Sequence, residues 1–324
     1  MAKKAVFIVR NDYPSIMYDL LKQTFEVSSW NFAEGALSRS QLIENVKGKF
    51  GLICYTPNII DKEVIDAAGS DLKVVSTVSV GHEHLDLKEL KSRGIKVGYT
   101  PDVLTEAVAE HAVGLLLATS RRIVEGQHLM LKSGWNSKTW TPTWMCGYGL
   151  NLSTVGIVGC GRIGLSIIKK LKAFNPCHIY YSSRTEKPKV NELGAVLKPI
   201  DFIMKESDFI IVSLSLSVET KGVISKERIS SMKKNAVIVN IGRGGLIDEN
   251  ALIEALESKR IGGAGLDVFD KEPLPADSPL LKLDNVVATP HIASATYECR
   301  TAMAELAALN VIAVFNGQRM PAEL

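Results

Sequence analysis

Short runs of apolar, mostly β-branched residues alternate with stretches of helical apolar spacing through the first hundred residues. Residues 5–10, 26–30, 51–55, 74–78 and 95–99 read as strands, with helices at 15–25, 38–46, 62–68 and 85–92 between them. This βαβα alternation predicts a parallel sheet with helices on both faces. Pro101 and Asp102 break the series, and residues 103–123 then read as a long apolar helix opening at Thr105 and Glu106.

Residues 124–151 carry no sustained period. Trp135, Trp140 and Trp144 stand there among Gly, Ser, Thr and Pro. A segment of that length and aromatic content suits a docking loop or a partner-gripping arm, with a plain packed loop as the alternative. A second βα series starts at Ser153. Its strands are read at 154–158, 178–182, 209–214, 236–241, 263–268 and 286–288, and its helices at 162–174, 226–232 and 249–258. A final helix over 296–315 follows the second sheet, so it is free to cross back onto the first domain.

Composition narrows the class. At about 150 residues per domain, a chain of 324 residues suggests two domains. With 46% hydrophobic and 23% charged residues it is neither collagen-like, low-complexity nor wholly disordered. No apolar run approaches the ~20 residues of a membrane-spanning helix. The N-terminus imitates a signal peptide for a few residues, but Arg10, Asn11 and Asp12 end the stretch, and it reads as a first strand. Cys54, Cys146, Cys160, Cys177 and Cys299 lack CxxC spacing, which predicts reduced cytosolic thiols rather than disulfides or structural zinc. A net charge of +3 gives no reason to expect nucleic acid or an acidic membrane as partner.

The strongest local signal is Val155-Gly156-Ile157-Val158 running into Gly159-Cys160-Gly161-Arg162-Ile163-Gly164 and then a helix. A glycine pattern placed between strand and helix points to a dinucleotide. Gly159 permits the tight turn, Gly161 lets the backbone approach a pyrophosphate, and Gly164 lets the helix pack close. Free N–H groups at the helix N-terminus face the phosphate. The next strand ends in Ser183-Arg184-Thr185, with no acid before Glu186. An NAD site commonly has an acid there, whereas Ser183 and Arg184 suit a 2′-phosphate, so NADPH is the preferred cofactor, with NADH as the alternative.

Three further segments follow predicted strands. Asn240-Ile241-Gly242-Arg243-Gly244 carries an Arg, Asp267-Val268-Phe269 with Glu272-Pro273 carries acids, and Thr289-Pro290-His291 carries a His. All fall beyond strand carboxyl ends, where open α/β sheets bind ligands. Arg243, Glu272 and His291 beside a nicotinamide suit ketone reduction. The His gives a proton to the carbonyl oxygen, the acid holds the His, and the Arg neutralises a carboxylate and polarises the carbonyl.

At these residues the chain resembles the D-2-hydroxyacid dehydrogenase family over essentially its whole length. The resemblance implies two Rossmann-like parallel-sheet domains with an active-site cleft between them. Residues 1–102 and 291–324 would form a flavodoxin-like substrate domain, and 103–290 the dinucleotide-binding domain with a dimerisation arm over about 120–150. It implies Arg243, Glu272 and His291 as catalytic residues, and Ser79, Val80 and Gly81 as the substrate-carboxylate loop. Further cofactor contacts would come from Thr105, Arg162, Ile163, Ser215, Thr220, Ile241, Asp267 and Ser294. Residues 97–105, 144–150 and 320–324 are similar to the animal glyoxylate/hydroxypyruvate reductases. That likeness implies a homodimer in which Trp140 or Trp144 reaches the neighbouring subunit's site.

Two departures stand out. Gly81-His82-Glu83-His84-Leu85-Asp86 differs from the family pattern, with Glu83 taking the role of the usual Asp, and Ala293 stands where Gly is usual. His82 and His84, without a Cys or third His nearby, read as surface-loop residues rather than metal ligands, and no metal is expected. His111, His128 and His178 read as ordinary packing or surface residues. The expected function is NADPH-dependent reduction of glyoxylate and hydroxypyruvate to glycolate and D-glycerate. Reduction of another 2-keto acid, a 3-phosphoglycerate dehydrogenase and a dinucleotide-sensing corepressor or scaffold are the alternatives. The C-terminal Ala322-Glu323-Leu324 is not an S-K-L peroxisomal address, so a cytoplasmic location is expected.

Overall fold

Strands that are buried on both faces read as near-continuous apolar runs, and the central strand of each sheet, Gly51–Cys54 and Phe209–Val212, does. The computed structural model describes residues 3–136 and 140–324. The chain divides into a first unit, Met1–Leu104 with Ala295–Leu324, and a second unit, Thr105–Ser294.

The first unit runs β1 (Ala5–Ile8), α1 (Ser15–Lys22), β2 (Glu26–Ser29), α2 (Arg39–Asn45), β3 (Gly51–Cys54), α3 (Lys62–Ala68), β4 (Val74–Thr77), α4 (Leu87–Ser92) and β5 (Lys96–Gly98). Its sheet has the order β2-β1-β3-β4-β5, and every neighbouring pair is parallel. Side chains end the solvent-facing loops and start the helices: Ser38 and Gln41 form a capping box on α2, and Asp61 accepts from the amides of Glu63 and Val64 at the start of α3.

The second unit runs α5 (Thr105–Ser120), α6 (Ile123–Leu131), β6 (Thr154–Val158), α7 (Arg162–Leu171), β7 (His178–Ser182), α8 (Pro188–Asn191), β8 (Val196–Leu197), α9 (Ile200–Glu206), β9 (Phe209–Val212), α10 (Lys226–Ser231), β10 (Val237–Asn240), α11 (Glu249–Glu257), β11 (Gly263–Leu266) and β12 (Val286–Ala288). The seven parallel strands lie in the order β12-β11-β10-β9-β6-β7-β8. Strand order reverses between β6 and β9, the switch point at which open α/β sheets bind ligands. Both units are therefore parallel-sheet α/β domains of Rossmann type.

Residues 124–151 depart from the expected lack of period at one end, because α6 occupies Ile123–Leu131. None of its residues is buried, which is why no buried stripe marks it in the sequence. The tract then turns back: the Tyr148 amide donates to Ser120 O at 2.9 Å, and a Cβ on Gly147 would lie 2.1 Å from that same oxygen.

The last helix, α12 (Tyr297–Phe315), is capped by Thr296 and packs on α1, β3, β4 and β5 of the first unit. Its Asn310 is fully buried. The side-chain amide donates to Tyr99 O at 3.1 Å and its oxygen accepts from the Ala322 amide at 3.0 Å. Phe315 meets Phe25 and Phe50 edge-on, with ring centroids 5.0 and 5.7 Å apart.

Candidate functional site

In the second unit, three glycines of the β6–α7 turn are required for three different reasons. Gly159 has φ +92°, and a Cβ there would lie 2.7 Å from the Leu214 side chain. A Cβ on Gly164 would lie 2.7 Å from Gly159 O, so α7 can sit close to the turn only without one. Gly161 has nothing within 4 Å of its Cβ position. It precedes α7, whose first turn carries neither a side-chain cap nor an acid. The open backbone, uncapped N–H groups and positive helix end fit a pyrophosphate. The turn is held to β7 by Ser182, whose Oγ accepts from the Gly159 amide at 3.1 Å and whose O accepts from the Cys160 amide at 3.0 Å. Burial pushes the intervening Cys160 thiol up to about 11, so it stays protonated at neutral pH.

Ser183 and Arg184 follow β7 directly, and Arg184 is exposed. Thr220 donates to Ser215 O at 2.8 Å and accepts from the Ser217 amide at 2.7 Å, so its hydroxyl shapes the loop after β9. Thr105 opens α5, Ile163 and Ser294 are partly buried, Ile241 is buried and Arg162 is exposed.

Arg243, Glu272 and His291 come after the carboxyl ends of β10, β11 and β12, at the same edge of the sheet. His291 Nδ1 lies 2.7 Å from Glu272 Oε2, and Glu272 Oε1 accepts from the Phe269 amide at 3.0 Å. Burial pushes the Glu272 carboxyl up, but the His291 hydrogen bond and charge, the Phe269 amide and the Arg243 charge outweigh it and hold it below the usual glutamate value. A carboxylate only accepts, so Nδ1 carries the proton in this pair. Among the described residues His291 Nε2 has no hydrogen-bond partner, and the side chain is about one-third exposed. Arg243 Nη1 donates to Gly242 O at 2.8 Å, and its own carbonyl accepts from Asn240 Nδ2 at 2.8 Å. A Cβ on Gly244 would lie 1.8 Å from the Phe269 carbonyl carbon, so glycine lets the Arg243 turn press against the segment leading to Glu272.

Asp267 does more than the sequence showed. It is fully buried, its Oδ1 accepts from Thr289 Oγ1 and the Ile292 amide, and its Oδ2 accepts from the Ala293 amide. His111 Nε2 lies 3.0 Å from Thr289 Oγ1 and 3.4 Å from Asp267 Oδ1. Burial pushes this carboxyl up, but those hydrogen bonds hold it below the usual aspartate value. An acid immediately after a strand, ahead of the His segment, was the available signal; the amides it holds lie 25 and 26 residues away.

In the first unit, Ser79-Val80-Gly81 follows β4. Two of its three carbonyls are occupied: Ser79 O accepts from the Thr100 amide at 3.0 Å and Gly81 O from Ser79 Oγ at 2.6 Å. The Val80 and Gly81 amides have no acceptor among the described residues. Carbonyls turned in and amides left over make a loop suited to an anion. One expectation is corrected here. His84 is not a surface residue but is 6% exposed, with Nε2 2.9 Å from Thr77 Oγ1. The polar run around it hid a partner on the strand before.

Trp140 is exposed and Trp144 is partly buried, while 137–139 of the same tract lie outside the described residues. Among the described residues no helix is long and apolar enough to cross a membrane, and no group of three His, Cys, Asp or Glu side chains could hold a metal ion.

Comparison with known proteins agrees with this geometry. The family model for the NAD binding domain of D-isomer specific 2-hydroxyacid dehydrogenases matches residues 113–293. A glyoxylate reductase/hydroxypyruvate reductase of Mus musculus is 48% identical over 300 residues, 92% of this chain and 90% of the relative. A glyoxylate reductase of Pyrococcus furiosus is 44% identical over 98% of this chain and 94% of its own length. Among solved structures, the NADPH-dependent glyoxylate/hydroxypyruvate reductase of Sinorhizobium meliloti, in complex with NADP and malonate, superposes with a TM-score of 0.88. It is 30% identical and covers 100% of this chain and 97% of that one. A glycine turn that fits a pyrophosphate, an Arg–Glu–His set along one sheet edge and this likeness over nearly the whole length lead to one conclusion: the chain belongs to the D-isomer specific 2-hydroxyacid dehydrogenases, a family of NAD(P)-dependent oxidoreductases.

Proposed function

We propose that the protein is an NADPH-preferring reductase of glyoxylate and hydroxypyruvate. The observation that carries the reading is the His291–Glu272 pair, which engages Nδ1 and leaves Nε2 without a partner among the described residues. Glu272 stabilises the imidazolium and fixes its orientation. His291 passes the Nε2 proton to the carbonyl oxygen and becomes neutral imidazole, while Arg243 polarises the carbonyl. A bound reduced nicotinamide supplies the hydride that the carbonyl carbon accepts. The Val80 and Gly81 amides and Arg243 receive the substrate carboxylate. Ser183 and Arg184 receive the 2′-phosphate of the cofactor, supported by the absence of an acid at the end of β7.

The same reading assigns residues 120–150 to pairing with a second copy of the chain, supported by the exposed side chains of Ile123, Met130, Leu131, Trp135 and Trp140. The test is loss of nicotinamide absorbance with glyoxylate, hydroxypyruvate and pyruvate, using NADPH and NADH. The expected result is turnover of the first two with higher kcat/KM for NADPH. Absence of turnover on all three overturns the reading. His291→Ala is expected to lower kcat by about 10²–10⁴-fold.

A further inference from the structure

We infer that His84 is a positioning residue that sets the anion loop 79–81 through a directed chain of hydrogen bonds, an inference that rests on the assignment of that loop to the substrate carboxylate. The chain runs from His84 Nε2 to Thr77 Oγ1 at 2.9 Å, from Thr77 Oγ1 to Ser79 Oγ at 2.8 Å, and from Ser79 Oγ to Gly81 O at 2.6 Å. Thr77 is fully buried, and Ser79 and His84 are less than a tenth exposed.

One end of the chain determines every proton in it. A carbonyl oxygen only accepts, so the Ser79 hydroxyl hydrogen is committed to Gly81 O. Ser79 Oγ must then accept from Thr77, which commits the Thr77 hydroxyl hydrogen. Thr77 Oγ1 is left as an acceptor toward His84, so Nε2 carries a hydrogen. Burial pushes the neighbouring Cys54 thiol up to about 12, so it remains an S–H and places no charge beside this chain.

The consequence falls on the loop. With Ser79 Oγ holding Gly81 O, and the Thr100 amide holding Ser79 O, two loop carbonyls are turned away while the Val80 and Gly81 amides stay unspent. A carbonyl released to face a carboxylate would repel it. His84 thus acts two hydrogen bonds away from Ser79 and three from the Gly81 carbonyl, without touching substrate or cofactor. Hydrogen bonds in such a buried chain polarise one another, so loss of the first donor weakens the last bond.

The test compares His84→Leu, His84→Gln and Ser79→Ala with the wild-type protein. Three quantities are measured: KM and kcat for glyoxylate, the Kd of oxalate by calorimetry in the presence of NADP, and the Kd of NADPH by fluorescence. Leu removes the donor, whereas Gln can place a donor near the Nε2 position. Loss of one neutral hydrogen bond corresponds to about a tenfold change, so His84→Leu is expected to raise both the glyoxylate KM and the oxalate Kd by about tenfold. The kcat and NADPH Kd should stay within about twofold on the same scale. His84→Gln should restore most of the loss. The double variant with Ser79→Ala should match Ser79→Ala alone, because both act on one carbonyl.

Unchanged KM and oxalate Kd in His84→Leu, or an additive double variant, overturns the inference while the reductase reading stands. If His84→Leu does not fold, a His84→Gln variant that loses oxalate affinity as far as Ser79→Ala overturns it equally. A wild-type protein that binds oxalate, responds to His84→Leu and turns over no keto acid keeps the relay and removes the reductase reading.

Discussion

Asp267 holds the turn that presents His291. The His291 amide donates to Asp267 O at 2.9 Å, and the two following amides, of Ile292 and Ala293, donate to its carboxylate at 2.8 Å each. His291 itself has φ +54°, a left-handed conformation that a side chain adopts at a cost. Three backbone bonds to one residue hold it there.

Asp267→Asn replaces an acceptor with a donor opposite donors. Leaving buried groups unsatisfied costs about 1–3 kcal/mol, more where charge is involved, and loosens the His291 turn. The expected outcome is a lower urea midpoint together with a fall in kcat. A variant as stable and as active as wild type would show that the turn keeps its shape without the carboxylate.

Glu272 predicts an acid-side loss. Its folded pKa lies below the unfolded value, so its stabilising contribution is fully present above the ordinary glutamate value and is lost as pH falls through the lowered one. In urea unfolding from neutral pH downward through the carboxylate range, the stability gap between wild type and Glu272→Gln should narrow. A gap that is constant with pH would mean that the pair adds nothing through its charge.

Gly161 and Gly164 should separate binding from folding. Gly164→Ala drives a Cβ into the Gly159 carbonyl, so thermal stability should fall. Gly161→Ala meets open space and should unfold as wild type does, while its dinucleotide Kd rises. Calorimetric melting and fluorescence titration of the two variants check this; equal stability losses would contradict it.

Arg184→Ala should act on cofactor choice. A charge-assisted hydrogen bond is worth about 1.5–3 kcal/mol, so kcat/KM for NADPH should fall by about ten- to hundredfold. The value for NADH should change little. Equal losses with both cofactors would place Arg184 on the shared part of the dinucleotide.

The central strands were legible because their burial is local: every residue of β3 and β9 is buried, and each run reads apolar from end to end. The β6–α7 turn was legible because Gly159, Gly161 and Gly164 mark it. Elements α8 and β8, four and two residues long, were not read, since neither has room for a period. No residue of helix α6 is fully buried, which leaves no clear stripe to find. The order of Arg243, Glu272 and His291 along successive strands was legible, but the support beneath them was not. Asp267 reaches amides 25 and 26 residues on, and His84 reaches back to Thr77 on the preceding strand; neither bond repeats with any period.

The return of α12 to the first unit has a consequence for synthesis. A chain emerging from its N-terminus completes all five strands of the first sheet by Gly98, yet the helix that packs against β3, β4 and β5 begins at Tyr297. The whole second unit, Thr105–Ser294, leaves the ribosome in between and can fold as it appears. The first unit must wait, part of its apolar face uncovered, until Asn310 arrives to bridge Tyr99 and Ala322. Cofactor-binding architecture is therefore in place on a nascent chain whose other half is unfinished, and the last thirty residues decide when the first hundred are done.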